Sequence, residues 1–282
     1  MQMRIAVTLL VILAAASARA HPPVSVVIDS RGYVYYSDLK QVWRVAPDGK
    51  TSIAVPNVHT HELYLDAQDN LFGEHLWYEG ERTDKWGHYV WKRAPNGAIS
   101  TVIPRTVGFL QSYSFVRDRA GTMYFANDAR TEVRRRAPDG KVTVHARGFR
   151  AIRWMHATAG GTIFLVDDGD VVRIKNGQLA RIARRVAARP LISARHALQG
   201  VWSDAAENVY VADYTRSEVK KVTPSGQVTT FARSPVGWSP TGGTFAPNGD
   251  LWVLETSITN AVRVRKIAAP PRRRTARGET GS

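Results

Sequence analysis

Along this chain, apolar and polar positions alternate in short runs that recur six times at a spacing of roughly 40 residues. The clearest run of each unit is Tyr33–Asp38 (YVYYSD), Asn70–His75 (NLFGEH), Thr122–Asn127 (TMYFAN), Thr162–Asp167 (TIFLVD), Asn208–Asp213 (NVYVAD) or Asp250–Glu255 (DLWVLE). β-Branched and aromatic residues on alternate positions, closed by a polar residue, predict strands. A turn sequence precedes each run: DSRG, DAQD, DRAG, TAGG, DAAE and APNG. Such Asp, Asn and Gly clusters tolerate the tight or left-handed backbone of a reversal. In five units a second turn follows, at Pro47-Asp48-Gly49, Pro95-Asn96-Gly97, Pro138-Asp139-Gly140, Lys175-Asn176-Gly177 and Pro224-Ser225-Gly226. One unit therefore holds four antiparallel strands, and six such units predict an all-β fold, a six-bladed β-propeller with four-stranded antiparallel blades. Innermost strands are expected near Val24–Asp29, His61–Asp66, Tyr113–Asp118, Arg153–Thr158, Gln199–Asp204 and Thr241–Ala246. After Val262–Ile267 the chain enters Ala-Ala-Pro-Pro, so the last blade is expected to be three-stranded.

Two segments break the repeat. The second unit carries an insertion, Leu76–Tyr89, read as a long loop that serves as a lid or binding ledge. A second connection, Arg185 to Leu198, joins units four and five and is expected to be partly helical from Leu191 to Leu198.

The ends are read separately. Met1–Arg4 give a basic start, Ile5–Ala16 an apolar run, and Ala18-Arg19-Ala20 small residues at a cleavage site. This pattern predicts a signal peptide over residues 1–20, cleaved before His21, and hence a secreted or periplasmic protein. The propeller is expected over 21–270 and a disordered basic tail over 271–282. No later run is long enough to cross a bilayer. With no cysteine in 282 residues, disulfides and thiolate metal sites are excluded. The formal net charge of +15 favours encounter with anionic ligands. No nucleic-acid-reading motif accompanies the charge, so no nucleic-acid partner is expected, and a monomer is expected.

The segment Val209–Lys221 (VYVADYTRSEVKK), ending in Pro224-Ser225-Gly226, resembles the NHL repeat, and Met123–Arg135 (MYFANDARTEVRR) repeats it. The six-unit count and the D-A-x-x-N/G turns resemble the senescence-marker-protein/gluconolactonase superfamily. In lactonases of that superfamily, Glu, Asn and Asp at the starts of the innermost strands hold a divalent cation over the channel. The same frame here gives Val24, His61, Tyr113, Arg153, Gln199 and Thr241, with no carboxylate. Calcium is therefore not expected at the channel mouth, because a hard cation wants several anionic oxygens.

A second ring closes the second strands: Asp38, His75, Asn127, Asp167, Asp213 and Glu255. Asp and Asn there are expected to hold turns through backbone N–H groups, while His75 and Glu255 depart from that type. The candidate ligand-binding set is His61, Tyr113, Arg153, Gln199, Trp77, His75 and Glu255. His59, His61 and His75 are candidate ligands for a divalent transition metal, since imidazole suits zinc, copper or nickel. Arg153 at a channel mouth calls for an anion or water. The expected function is binding of an anionic small molecule, glycan or protein on the channel face, without catalysis. The alternative is a propeller enzyme, a lyase or lactonase-type hydrolase, using the blade-two histidines and a divalent metal where one is held. No nucleophile elbow, zincin motif or phosphate loop is present.

Overall fold

The computed structural model describes residues 22–108, 115–187 and 197–269. The expected signal peptide, Tyr113, most of the helix expected at Leu191–Leu198 and the basic tail lie outside those residues.

Six sheets are formed, each by strands consecutive in the chain. Blade 1 holds β1 (Val26–Ile28), β2 (Val34–Ser37), β3 (Val42–Val45) and β4 (Thr51–Val55). Blade 2 holds β5 (Leu63–Leu65), β6 (Leu71–Tyr78), β7 (Trp86–Arg93) and β8 (Ile99–Val107). Blade 3 holds β9 (Phe115–Arg117), β10 (Met123–Ala126), β11 (Glu132–Arg136) and β12 (Val142–Arg147). Blade 4 holds β13 (Ile152–Ala157), β14 (Ile163–Asp167), β15 (Asp170–Lys175) and β16 (Gln178–Ala183). Blade 5 holds β17 (Leu198–Ser203), β18 (Val209–Asp213), β19 (Glu218–Val222) and β20 (Val228–Arg233). Blade 6 is three-stranded: β21 (Trp238–Phe245), β22 (Leu251–Ser257) and β23 (Val262–Ile267).

The first turn of each blade is built by the side chain that opens it. Asp66 Oδ1 accepts from the N–H groups of Gln68 and Asn70, and Asp204 Oδ1 from those of Ala206 and Asn208. The other carboxylate oxygen ties the turn to the second strand. Asp29, Asp118 and Asp204 accept from the hydroxyls of Tyr35, Tyr124 and Tyr210 at 3.2, 3.2 and 2.9 Å. At Asn176-Gly177 both residues take positive φ, 52° and 73°, giving the two-residue turn whose twist matches a hairpin.

Because side chains alternate across a strand, each blade offers an apolar face to both neighbours, and the core lies between blades rather than inside one. Tyr124, Ala126 and Val133 of blade 3 pack with Ile152, Ile163, Leu165, Val172 and Ile174 of blade 4. Trp202, Tyr210 and Val219 of blade 5 pack with Leu251 and Val253 of blade 6.

The Leu76–Tyr89 insertion is not a loop. It continues the β6–β7 ladder from Leu71↔Arg93 to Tyr78↔Trp86, and β8 runs beside it to Val107. Alternating Leu76-Trp77-Tyr78 and Trp86-Gly87-His88 suit a pleated ribbon, and only residues 79–85 turn. Arg105 lies 3.8 Å over the Trp77 ring and pairs with Glu79 at 2.9 Å, which stiffens this extension.

Candidate functional site

A cavity of about 890 Å³ runs along the propeller axis and is lined by the innermost strands of all six blades. Its two ends differ. At the strand-start end, Val24 reaches across to pack with Trp154, Leu198 and Val201 of blades 4 and 5. Gly200 and Gly242 sit so close to this segment that a Cβ at Gly242 would collide with the Val24 carbonyl oxygen, and one at Gly200 would lie 2.6 Å from the Thr241 oxygen. Ser25 Oγ accepts the Leu63 N–H at 3.0 Å, which fastens the same segment to blade 2. At the opposite end, Ser30, Ala67, Asp69, Arg119 and Ala159, all on the first turns of their blades, line the cavity, and all but the half-buried Asp69 are exposed. The described residues therefore cover the strand-start end and leave the turn end open.

Among the described residues, the open end is therefore not the one expected from sequence. Val24, His61, Arg153, Gln199 and Thr241 are only 7, 8, 9, 5 and 0 % exposed. Apart from Val24 none lines the cavity, and His61, Arg153 and Gln199 already have partners in the fold. The physical reason is local: the N-terminal segment and two glycines let the inner strands of blades 1, 5 and 6 meet backbone to backbone.

The cavity's polar groups stand closer to the turns. Counting back from the residue that opens each first turn, the last strand position is Ile28, Leu65, Arg117, Ala157, Ser203 and Phe245, and the one before it is Val27, Tyr64, Val116, His156, Trp202 and Thr244. All twelve line the cavity. Arg117, His156 and Ser203 thus come from three consecutive blades at nearly one level. His156 Nε2 and Ser203 Oγ are 3.1 Å apart. Burial lowers the His156 imidazole to about 4, so the ring is neutral at neutral pH. Burial also lowers Arg117, whose guanidinium nevertheless stays charged. Its ring neighbour is Tyr64, at 5.9 Å, and another cation, Arg136, acts on it. Among the described residues no carboxylate pairs with it. Asp66 and Asp118 also line the cavity, but their oxygens are committed to the turns. Deeper in, Glu62 of blade 2 faces the cavity, and burial, reinforced by Glu74, pushes its carboxyl well above the usual range.

The other sequence candidates stand apart from the cavity. His75 Nδ1 accepts the His59 N–H at 2.9 Å, its ring stacks on Tyr89 at 4.6 Å, and the Nε2 atoms of His59 and His61 are 3.1 Å apart. Burial lowers His59 and His75, favouring neutral imidazoles. Among the described residues no three His, Cys, Asp or Glu side chains converge as metal ligands. Trp77 lies on the blade-two ribbon under Arg105. Glu255 is wholly buried and its two oxygens pair with Arg263 and Arg265 at 2.8 and 2.9 Å. Asp38, Asn127 and Asp213 hold the loops that follow them, as their residue type implies. Tyr64, Arg117, His156 and Ser203 were not singled out from the sequence. Their signal is a polar residue at an aligned position: for Arg117 and Ser203 the last strand position, where other blades carry Ile28, Leu65, Ala157 or Phe245, and for Tyr64 and His156 the one before it, where others carry Val27, Val116 or Trp202.

No family model and no curated protein sequence matches the chain. Solved structures do match in fold. Virginiamycin B lyase from Staphylococcus aureus is 13 % identical, with 88 % of this chain and 85 % of that one covered at a TM-score of 0.50. A putative gluconolactonase is 16 % identical, with 87 % and 90 % covered at 0.58. An auxiliary nutrient binding protein from Bacteroides thetaiotaomicron is 14 % identical, with 88 % and 69 % covered at 0.61. These neighbours include enzymes and a binding protein, and one fold hosts both. By its fold, the chain is a six-bladed β-propeller, the architecture on which these neighbours match it.

Proposed function

We propose that this is an exported propeller that binds a small anionic molecule in its central channel, entering from the turn end. The observation that carries the reading is Arg117: a half-buried guanidinium in a cavity of about 890 Å³, with a second cation beside it and no carboxylate partner among the described residues. A charge removed from bulk water gains most from a ligand that brings the opposite charge. The planar fork of donors suits a carboxylate, sulfate or phosphate. The aromatic walls, Tyr64, Phe72, Phe115, Trp154 and Phe245, supply an apolar body for such a site. The overall charge of +15 raises the encounter rate.

The test is a calorimetric screen of carboxylates, sulfates and phosphates against wild type, Arg117→Lys and Arg117→Ala. One charge-assisted pair contributes about 1.5–3 kcal/mol, so Arg117→Ala should weaken a hit roughly 10- to 100-fold. Arg117→Lys should weaken it less. Arg153→Ala serves as the comparison; a ligand that depends on Arg153 and not on Arg117 places the site at the strand-start end.

A further inference from the structure

We propose that Ser203 and His156 form a nucleophile–base pair in the channel, giving the protein an acyl-transfer activity towards esters of acids that carry a second negative charge. The proposal rests on the channel being the ligand site and goes beyond binding.

The geometry is that of an activated hydroxyl. His156 Nε2 and Ser203 Oγ lie 3.1 Å apart, within the reach a general base needs. They come from β13 and β17, on different blades, and both residues line the cavity. Arg117, from the neighbouring β9, stands at the same level and supplies a cation for the substrate's remote acid group. Burial keeps the imidazole neutral, the form that accepts a proton.

The step balances without a cofactor. Ser203 Oγ bonds to the ester carbonyl carbon as its proton passes to His156 Nε2, the carbon–oxygen bond to the alcohol breaks, and the alcohol leaves with that proton. Water then attacks the Ser203 ester with the same base, releasing the acid and restoring the hydroxyl. Both serine and histidine return to their starting states.

The first experiment uses wild-type protein and a fluorophosphonate, which phosphonylates an activated serine with loss of fluoride. Intact-mass and peptide mass spectrometry should find one adduct, on Ser203. The second follows hydrolysis of a 4-nitrophenyl monoester of glutaric acid beside 4-nitrophenyl acetate. Ser203→Ala should reduce turnover to the uncatalysed rate and abolish the adduct. His156→Gln should slow turnover by roughly 100- to 10,000-fold. Arg117→Ala should raise KM for the acidic ester more than for the acetate. Turnover should be level across neutral and alkaline pH and fall only as His156 gains its proton in acid. The other titratable groups lining the cavity are Arg117, Arg119, Tyr64, Glu62, Glu74, Asp66, Asp69 and Asp118, and their single substitutions should leave a fall of that form in place. An adduct elsewhere, or hydrolysis that survives Ser203→Ala, overturns the proposal. Absence of both adduct and hydrolysis also overturns it, and Arg117-dependent anion binding measured in parallel then shows that the binding reading stands alone.

Discussion

Replacing Glu255 by Gln removes one negative charge from a residue that is fully buried and holds two guanidiniums, Arg263 at 2.8 Å and Arg265 at 2.9 Å. Two charge-assisted bonds at about 1.5–3 kcal/mol each set an upper value of roughly 3–6 kcal/mol. That value must be discounted, because the Arg263 and Arg265 side chains are 36 % and 27 % exposed and can turn to water once released. The glutamine also keeps an oxygen that accepts one of the bonds. A loss of about 2–3 kcal/mol remains. At roughly 2–4 °C per kcal/mol for a chain of this size, the midpoint should fall by about 4–12 °C. Differential scanning calorimetry gives the number, and amide exchange should place the loosening in β22 and β23, because both arginines lie on β23. A midpoint within about 2 °C of wild type would refute the reasoning. It would refute it more sharply if channel ligands lost affinity at the same time, since Glu255 would then be a binding residue.

Two further outcomes follow from the covered end of the channel. Gly242→Ala should destabilise by at least ~1–3 kcal/mol, because the added methyl meets the Val24 backbone and not a yielding side chain; urea denaturation measures it. Glu62→Gln should be more stable than wild type at neutral pH. Its carboxyl is raised in the fold, so wild type loses stability as pH climbs from the ordinary carboxylate range through the raised value, and the advantage of the glutamine should vanish in acid below about pH 4. Parallel melts from acid to neutral pH decide this, and an advantage that grows on acidification would show the sign to be wrong.

The blades were legible in the chain because each is written locally. An Asp that opens a turn, a Tyr on the next strand to bond it and an X-Gly reversal lie within one unit, as Asp204, Tyr210 and Gly226 do. The short final blade was legible for the same reason. The ribbon of blade two was misread because Glu79–Lys85 interrupts its alternation and hides the pairing of Trp77 with Gly87. The site was less legible, because it depends on which end of the channel is free. That is decided by Val24, Gly200 and Gly242, which are adjacent only after the ring has closed. Arg153 and His61 satisfied the logic of a charge at a mouth, but among the described residues the open end is the other one, where Arg117 meets the same requirement. A comparison of polar identity at aligned strand positions, without any assumption about the open end, picks out Arg117, His156 and Ser203.

The crossing of Val24 over the strand starts also bears on how the ring holds together. The sixth sheet has no fourth strand among the described residues, so the first and last blades are not laced through a shared outer strand. The junction is made instead near the axis, where the segment around Val24 wedges against β17 and β21, and between the blade faces, where Val26, Val34 and Tyr36 meet Leu254. A clasp at the hub has short leverage: a small rotation of blade 6 about the axis strains it little, whereas withdrawal of the few residues around Val24 undoes it completely. It also has to form late, since the strands that grip Val24 are among the last in the chain. The loop closed by that contact is nearly the whole propeller, and its entropy must be met before the contact contributes anything. The earlier blades must therefore stand largely on their pairwise faces while the hub is still open.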